Sequence, residues 1–450
     1  MEEDLLSKIQ FLEQEATAKT DQGKYSEALR IYEEIAKIKI QHPEIKAELT
    51  ETYMKIGHTY FNLTKYYDAL IYYQKALKIR REALGDSDAK LAECYTRIGL
   101  VHMKRDEHEK ALDMFIQAFQ LERKEFGENH PVLAPTLRNL GMAYKEMKKY
   151  KEALEYFDKA LAIEAQVGGD TDIRLSVLYN EKGAVYMHQR NYKEAEHCFR
   201  KSLLIEIMKH GEVHPNTSAT ITNLGFVRNK LGFHKDAHEL FRKALEIDKK
   251  LYGVVSDQVA AAYFNIARTY EEETIYPKAQ EYYEKAIEIE VKLHGPKHLS
   301  VAKSYINLGN IHAFQWKLDD AIDCYKKGLR IFKRDDDRHF KIMALTYHSI
   351  GDAYCKKGKI EEAIKALEKG FNLISKYKLE KTLTAANIIH SLGYCHHKKE
   401  EYWASSEKFK QAYLIKKELL GETHEETAKS RALYEEAMKL KSDSSILSQL

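Results

Sequence analysis

The sequence predicts an all-α solenoid, and three regularities in its 450 residues carry that prediction. Small residues recur on a strict 42-residue grid: Gly57, Gly99, Gly141, Gly183, Gly225, Ala267, Gly309, Gly351 and Gly393. Twelve residues beyond each stands a second small residue: Ala69, Ala111, Ala153, Ala195, Ala237, Ala279, Ala321, Ala363 and finally Ser405. A large ring then follows at Tyr73, Phe115, Phe157, Phe199, Phe241, Tyr283, Tyr325 and Phe409. A period of roughly 20–50 residues, held this regularly, marks stacked repeats in which each unit buries its apolar face against its neighbours.

Each repeat reads as two helices. In the stretch 301–312, Tyr305, Leu308, Gly309 and His312 fall on one side of a helix, and Tyr53, Ile56, Gly57 and Tyr60 hold the same places. A glycine inside a helix costs about 1 kcal/mol relative to alanine. Its recurrence therefore predicts a close approach, with the second-helix alanines opposite and the ring filling the gap. A polar turn with an aromatic residue separates the helices, as in Lys65-Tyr66-Tyr67-Asp68. Pro277 opens one second helix, where its missing N–H is harmless. The second helix runs to a glycine that is also on the grid, at Gly85, Gly127, Gly169, Gly211, Gly253, Gly295 and Gly421, the place of a C-terminal cap.

One further pair precedes the grid, one residue out of phase: Ala16, Tyr25, Ala28 and Tyr32 match Gly57, Tyr66, Ala69 and Tyr73. Residues 427–440 read as a final capping helix, with Arg431 and Glu435 in place of the expected apolar residue and glycine. The expected organisation is one solenoid over 1–440 and a disordered tail over 441–450. Gly328 and Gly370 replace second-helix alanines, and Arg334-Asp-Asp-Asp-Arg338 departs from the usual loop, so a bend or loosening is expected around 328–385.

The pattern of aromatic, Leu-Gly, Tyr, Ala and Phe at fixed offsets resembles the tetratricopeptide repeat, over nearly the whole chain. The longer form, with loops such as Gly127-Glu-Asn-His-Pro131 and Gly211-Glu-Val-His-Pro215, is similar to the repeats of kinesin light chains and nephrocystin-3-like proteins. The resemblance implies a right-handed superhelix of about ten antiparallel helix pairs and an adaptor that binds protein segments in its concave groove. It further implies a cargo or adaptor role with short acidic ligands carrying a bulky apolar anchor. Kinesin light chains carry an N-terminal heptad coiled coil, and no heptads stand before the repeats here, so the motor-binding half of the analogy has no support.

Composition narrows the function. Lys plus Arg is 72 and Asp plus Glu is 69, a net charge of +3, which lacks the basic excess of a general nucleic-acid binder. No apolar run suits a membrane span, and the start, MEEDLLSKIQ, has no basic region followed by an apolar one. Cytoplasm is the expected compartment. The five cysteines, Cys94, Cys198, Cys324, Cys355 and Cys395, form no CxxC pair and read as buried free thiols.

His130, His214, His298 and His424 stand in different loops, two or three repeats apart, and cannot share an ion. His210 with His214 lacks a third ligand, Cys395-His396-His397 diverge around a helix, and Asp335 to Asp337 lack calcium-loop spacing. No phosphate loop, nucleophile elbow or HExxH is present, so neither a metal, a cofactor nor catalysis is expected.

The remaining surface is the first-helix stripe opposite the packing face. Two residues before the grid it holds Lys55, Arg97, Asn139, Glu181, Asn223, Asn265, Asn307, Ser349 and Ser391. Asparagine is a mediocre helix former, and its amide both donates and accepts, which suits pairing with a ligand backbone. The predicted partner-binding row is Arg97, Arg138, Asn139, Asn180, Asn223, Asn265, Arg268 and Asn307. The expected ligand is a protein or peptide, and the expected state a monomer or a component of a complex. Two alternatives stay open: the asparagines bond a neighbouring repeat instead, or the chain is an assembly subunit with obligate contacts on its convex face.

Overall fold

The computed structural model describes residues 2–42, 48–332 and 339–447, and among them are 21 helices and no strands. The chain divides into two compact units, Met1–Glu212 and Val213–Leu450. In the first, helices pair as α1 (Glu2–Asp21) with α2 (Tyr25–Gln41), α3 (Leu49–Asn62) with α4 (Tyr66–Leu84), and α5 (Leu91–Lys104) with α6 (His108–Phe126). They continue as α7 (Leu133–Glu146) with α8 (Tyr150–Gly168) and α9 (Ile173–His188) with α10 (Tyr192–His210). In the second, the pairs are α11 (Pro215–Lys230) with α12 (His234–Tyr252), α13 (Asp257–Glu272) with α14 (Tyr276–His294), and α15 (Leu299–Phe314) with α16 (Leu318–Ile331). They end with α17 (Phe340–Lys356) and α18 (Ile360–Lys376), then α19 (Leu383–Lys398) and α20 (Tyr402–Leu420), against which α21 (Glu425–Leu447) lies.

The grid residues hold each pair together. At Gly141 an added Cβ would fall 2.5 Å from Cε1 of Phe157, whose ring is wholly buried with Ala153 and Ala160. The glycine is thus read correctly as a contact point, although what presses on it is the second-helix ring. Gly351 is the variant case, with Leu367 where other repeats have an aromatic ring. The cores are local: Phe157, Leu161, Leu175 and Leu178 belong to one cluster in the first unit, and Phe241, Ile266, Tyr283 and Leu308 to one in the second.

Three loop features recur with the same period. The turn inside each pair passes through a left-handed residue, and this is Thr64, Asp106, Lys148, Arg190, Thr274, Trp316 or Glu400 as readily as Gly232 or Gly358. The second helix ends at a glycine in the left-handed region, as at Gly85 with φ 81°, whose N–H returns to the Arg81 carbonyl at 2.8 Å. Finally, a side-chain acceptor caps the next first helix. His214 Nδ1 takes the N–H of Asn216 at 3.2 Å, and His298 Nδ1 that of Ser300 at 3.4 Å. Asp172, Ser256, Thr382 and His424 do the same on the same grid, while Asp88 and His130 accept from the N–H of Lys90 and Val132, just before α5 and α7 begin. Of the loop histidines that tempt a metal reading, His214, His298 and His424 are therefore helix caps, and His130 holds the turn that leads into α7.

Two expectations need amendment. Gly328 is a tight contact and not a loose point: a Cβ there would stand 2.8 Å from Ile306 Cγ1 and 3.0 Å from the Ala302 carbonyl. Gly370 approaches the Ala344 carbonyl in the same way, at 3.1 Å. The Asp335–Asp337 run lies outside the described residues. The last helix is also longer than 427–440, since α21 continues through residues 441–447, where the sequence predicts a disordered tail; 448–450 lie outside the described residues.

Candidate binding surface

In the first unit the predicted row divides. Arg97, on α5, lines a cavity of about 200 Å³ with Glu51, Lys55, His58 and Glu93. Burial and then the Arg97 charge hold His58 below its ordinary range. Arg80 grips Glu51 and Glu93 from α4, so the carboxylates nearest Arg97 are already shared. Asn139 on α7 is only 4% exposed, which removes it from the accessible stripe. Its Oδ1 and the Nε of Arg138 are buried without a hydrogen-bond partner among the described residues. Asn180 on α9 donates from Nδ2 to Oε1 of the buried Glu206 on α10, at 3.1 Å. Glu181 beside it receives Lys145 at 2.8 Å. Asn180 is therefore bonded within its own helix pair, and not to a neighbouring repeat.

The second unit differs. Asn223 on α11, Asn265 on α13 and Asn307 on α15 are half-buried, and no hydrogen bond joins their side-chain amides to another described residue. Their surroundings are wired. Asn229 Nδ2 and Lys230 Nζ both donate to Glu272, at 2.7 and 2.8 Å, and Arg268 reaches the same carboxylate at 4.0 Å. The Tyr283 hydroxyl donates to Glu271 at 2.7 Å, and that of Tyr325 to Asn310 at 2.8 Å. On α19, Ser391 donates to Asp352 and meets His348 Nε2, both at 3.0 Å, so the last serine of the row is committed. Three amides in corresponding places, each with a spare donor and acceptor, can pair with the backbone of an extended chain.

Among the described residues, no group of three or more His, Cys, Asp or Glu is placed to hold a metal ion, and no helix is long and apolar enough to cross a membrane. All five cysteines are free, and burial pushes the thiols of Cys94, Cys198 and Cys324 up to about 11.

Helix pairs joined by short loops, repeated in series around local cores, define a protein-interaction repeat scaffold. The tetratricopeptide repeat model matches residues 48–103, 92–164, 174–250, 217–289, 258–334 and 342–418. These matches span well over half of the chain, which belongs to the tetratricopeptide repeat family.

A comparison with curated proteins finds no match. Among solved structures, the apo quorum sensor NprR from B. thuringiensis is 18% identical with a TM-score of 0.56, covering 72% of this chain and 87% of its own. BtubC (BKLC) from P. vanneervenii is 18% identical with a TM-score of 0.46, over 51% of this chain and 92% of that one. Repeats of a putative kinesin light chain from Podosopora anserina are 20% identical with a TM-score of 0.42, over 45% and 96%. The NprR likeness supports the fold.

Proposed function

We propose that the chain is a non-enzymatic adaptor or scaffold that binds an extended segment of a partner protein along the first-helix face of residues 213–450. The observation that carries this reading is the row of three unpaired, half-buried amides at Asn223, Asn265 and Asn307. An unsatisfied amide at one position is an accident of surface composition. Three at one register position ask for a common partner, and a peptide backbone offers a donor and an acceptor at each residue. Arg268 flanks the row and supplies a charge for a ligand carboxylate, and Arg97 is a separate point of attachment in the first unit. Arg138, Asn139 and Asn180 are left out of the proposed contact set for the burial and bonding given above. A single array ending in α21, a cytoplasmic location and a monomer or a component of a complex are part of the same proposal.

The test is a random-peptide selection against the full chain, followed by affinity measurement on the Asn223→Ala, Asn265→Ala, Asn307→Ala triple variant. Each backbone hydrogen bond lost is worth about 0.5–1.5 kcal/mol, so selected peptides should weaken tenfold or more while the melting temperature holds. Selected peptides that bind both proteins equally would place recognition elsewhere. A triple variant that melts early would make the amides structural.

A further inference from the structure

The repeats supply their own standard for one side-chain slot on the second-helix face. Fifteen residues after the grid position, three of the nine repeats carry a ring, at Tyr72, Tyr156 and Tyr282, and Met114, Leu240 and Lys408 are long side chains at the same place. Tyr72 stacks on Tyr60 at 5.5 Å and meets the edge of Tyr53 at 5.6 Å. Tyr282 lies between Tyr270, at 5.7 Å, and Tyr263, at 5.9 Å, and Tyr156 stacks on Tyr144 at 5.3 Å. In each case a lysine three residues further on covers the inserted ring: Lys75 at 4.7 Å, Lys159 at 5.3 Å and Lys285 at 4.8 Å.

The repeat of Gly351 keeps the two flanking tyrosines, Tyr347 and Tyr354, and the lysine, Lys369, but places Ala366 where the central ring belongs. A cavity of about 430 Å³ lies there, with Tyr347, Ile350, Tyr354 and Ala366 among its lining residues. That volume falls in the range of small-ligand pockets, about 300–1,000 Å³. Cysteine holds the slot in two other repeats. At Cys198 the Lys182 side chain, paired with Asp158, lies beside the thiol and Tyr186; at Cys324 the second flanking ring is His312 in place of tyrosine.

The rim is cationic. Lys326, Arg330, Lys365 and Lys369 surround the opening against the single carboxylate of Glu362. Lys326 donates to the Tyr354 hydroxyl at 2.8 Å, while Arg330, Lys365 and Lys369 make no ion pair among the described residues. Aromatic walls select a flat ring, the lysine adds a cation over its face, and unpaired cations favour negative charge on either side of it.

We propose that this vacated slot, built by α16, α17 and α18, is a second binding site that takes an aromatic side chain flanked by carboxylates from a partner protein. It lies on different helices and a different face from the asparagine row, and neither site depends on the other.

Fluorescence anisotropy of the full chain with labelled Asp-Glu-Glu-Tyr-Glu-Glu-Asp tests it, alongside peptides with Phe, Trp or Ala at the centre. The aromatic peptides should bind at least tenfold tighter than the Ala peptide. Ala366→Tyr, which restores the ring of the sister repeats, should weaken them at least tenfold with an unchanged or raised melting temperature. The double charge reversal Lys365→Glu, Lys369→Glu should do the same, and it decides the matter should Ala366→Tyr disturb folding. The asparagine triple variant should bind these peptides as wild type does. Equal binding of the Ala peptide, undiminished binding by the filled or charge-reversed pocket, loss in the asparagine variant, or no binding of any aromatic peptide would each overturn the proposal.

Discussion

Replacing Gly141 by alanine sets two physical effects against each other, and the sign of the result decides between them. Helix propensity alone favours alanine by about 1 kcal/mol at a helix interior. Against this, the new methyl would stand 2.5, 2.7 and 2.9 Å from three carbons of the Phe157 ring. Ordinary carbon contacts are roughly 3.5–4.0 Å, so the ring or α7 must move by about an ångström. Phe157 is 0% exposed and rigid beyond its two torsions, which leaves the ring little room to yield. Overpacking of this kind costs roughly 1–3 kcal/mol, for a net destabilisation of about 1 kcal/mol. Removing the ring should reverse the sign: in a Phe157→Ala background Gly141→Ala should gain up to about 1 kcal/mol, whereas leucine would not serve, since a Cβ at Gly351 would already stand 2.5 Å from Leu367. Urea denaturation followed by circular dichroism, on the four proteins of the cycle, measures both terms. A stabilised Gly141→Ala single variant, or a coupling energy near zero, would refute the close-contact account of the grid.

The helix caps give a second expectation: His298→Ala should cost about 1 kcal/mol by the same assay, while His298→Asp, the residue at Asp172, should restore it; an alanine variant as stable as wild type would mean that the 3.4 Å bond contributes nothing. A third concerns pH. Burial, and then the Lys416 ammonium and His348, push His390 down from 6.5 to about 4 against the pull of Glu426, so between those values the unfolded chain binds the extra proton. Stability from this group is fully present above about 6.5 and lost as pH falls toward 4, by up to about 3 kcal/mol. His390→Gln should flatten the difference between denaturation midpoints at pH 7.5 and 4.5; an unchanged difference would assign the acid sensitivity to other groups.

The pairing of helices, their ends and their packing residues are legible in the sequence because each depends on residue size at a fixed spacing. The cap slot was not, since Asp172, His214, Ser256 and Thr382 share an acceptor atom and no other property. The candidate row was legible by position but not by state. Asn180 is spent on Glu206, a partner 26 residues away on the next helix, and Asn139 is buried. A linear pattern reports which face a side chain is on, and says nothing of what reaches across to meet it. The vacated slot was equally hidden, because an alanine at position 366 looks like any other small helix residue until Tyr72 and Tyr282 are seen filling its counterpart.

The one-residue slip ahead of the grid shows where this chain tolerates a change of length. Ala16, Ala28 and Tyr32 stand 41 residues before Gly57, Ala69 and Tyr73, yet they are buried as completely as those counterparts. The missing residue falls between the end of α2 at Gln41 and the start of α3 at Leu49. Inside a helix, the same deletion would turn every later side chain by about 100° and carry a packing alanine around toward solvent. Between helices it rotates nothing, because the next first helix is indexed afresh by its own start. Insertions and deletions can therefore accumulate in the loops without scrambling the face that meets a partner, whereas a single one within a helix would erase that face from its own repeat.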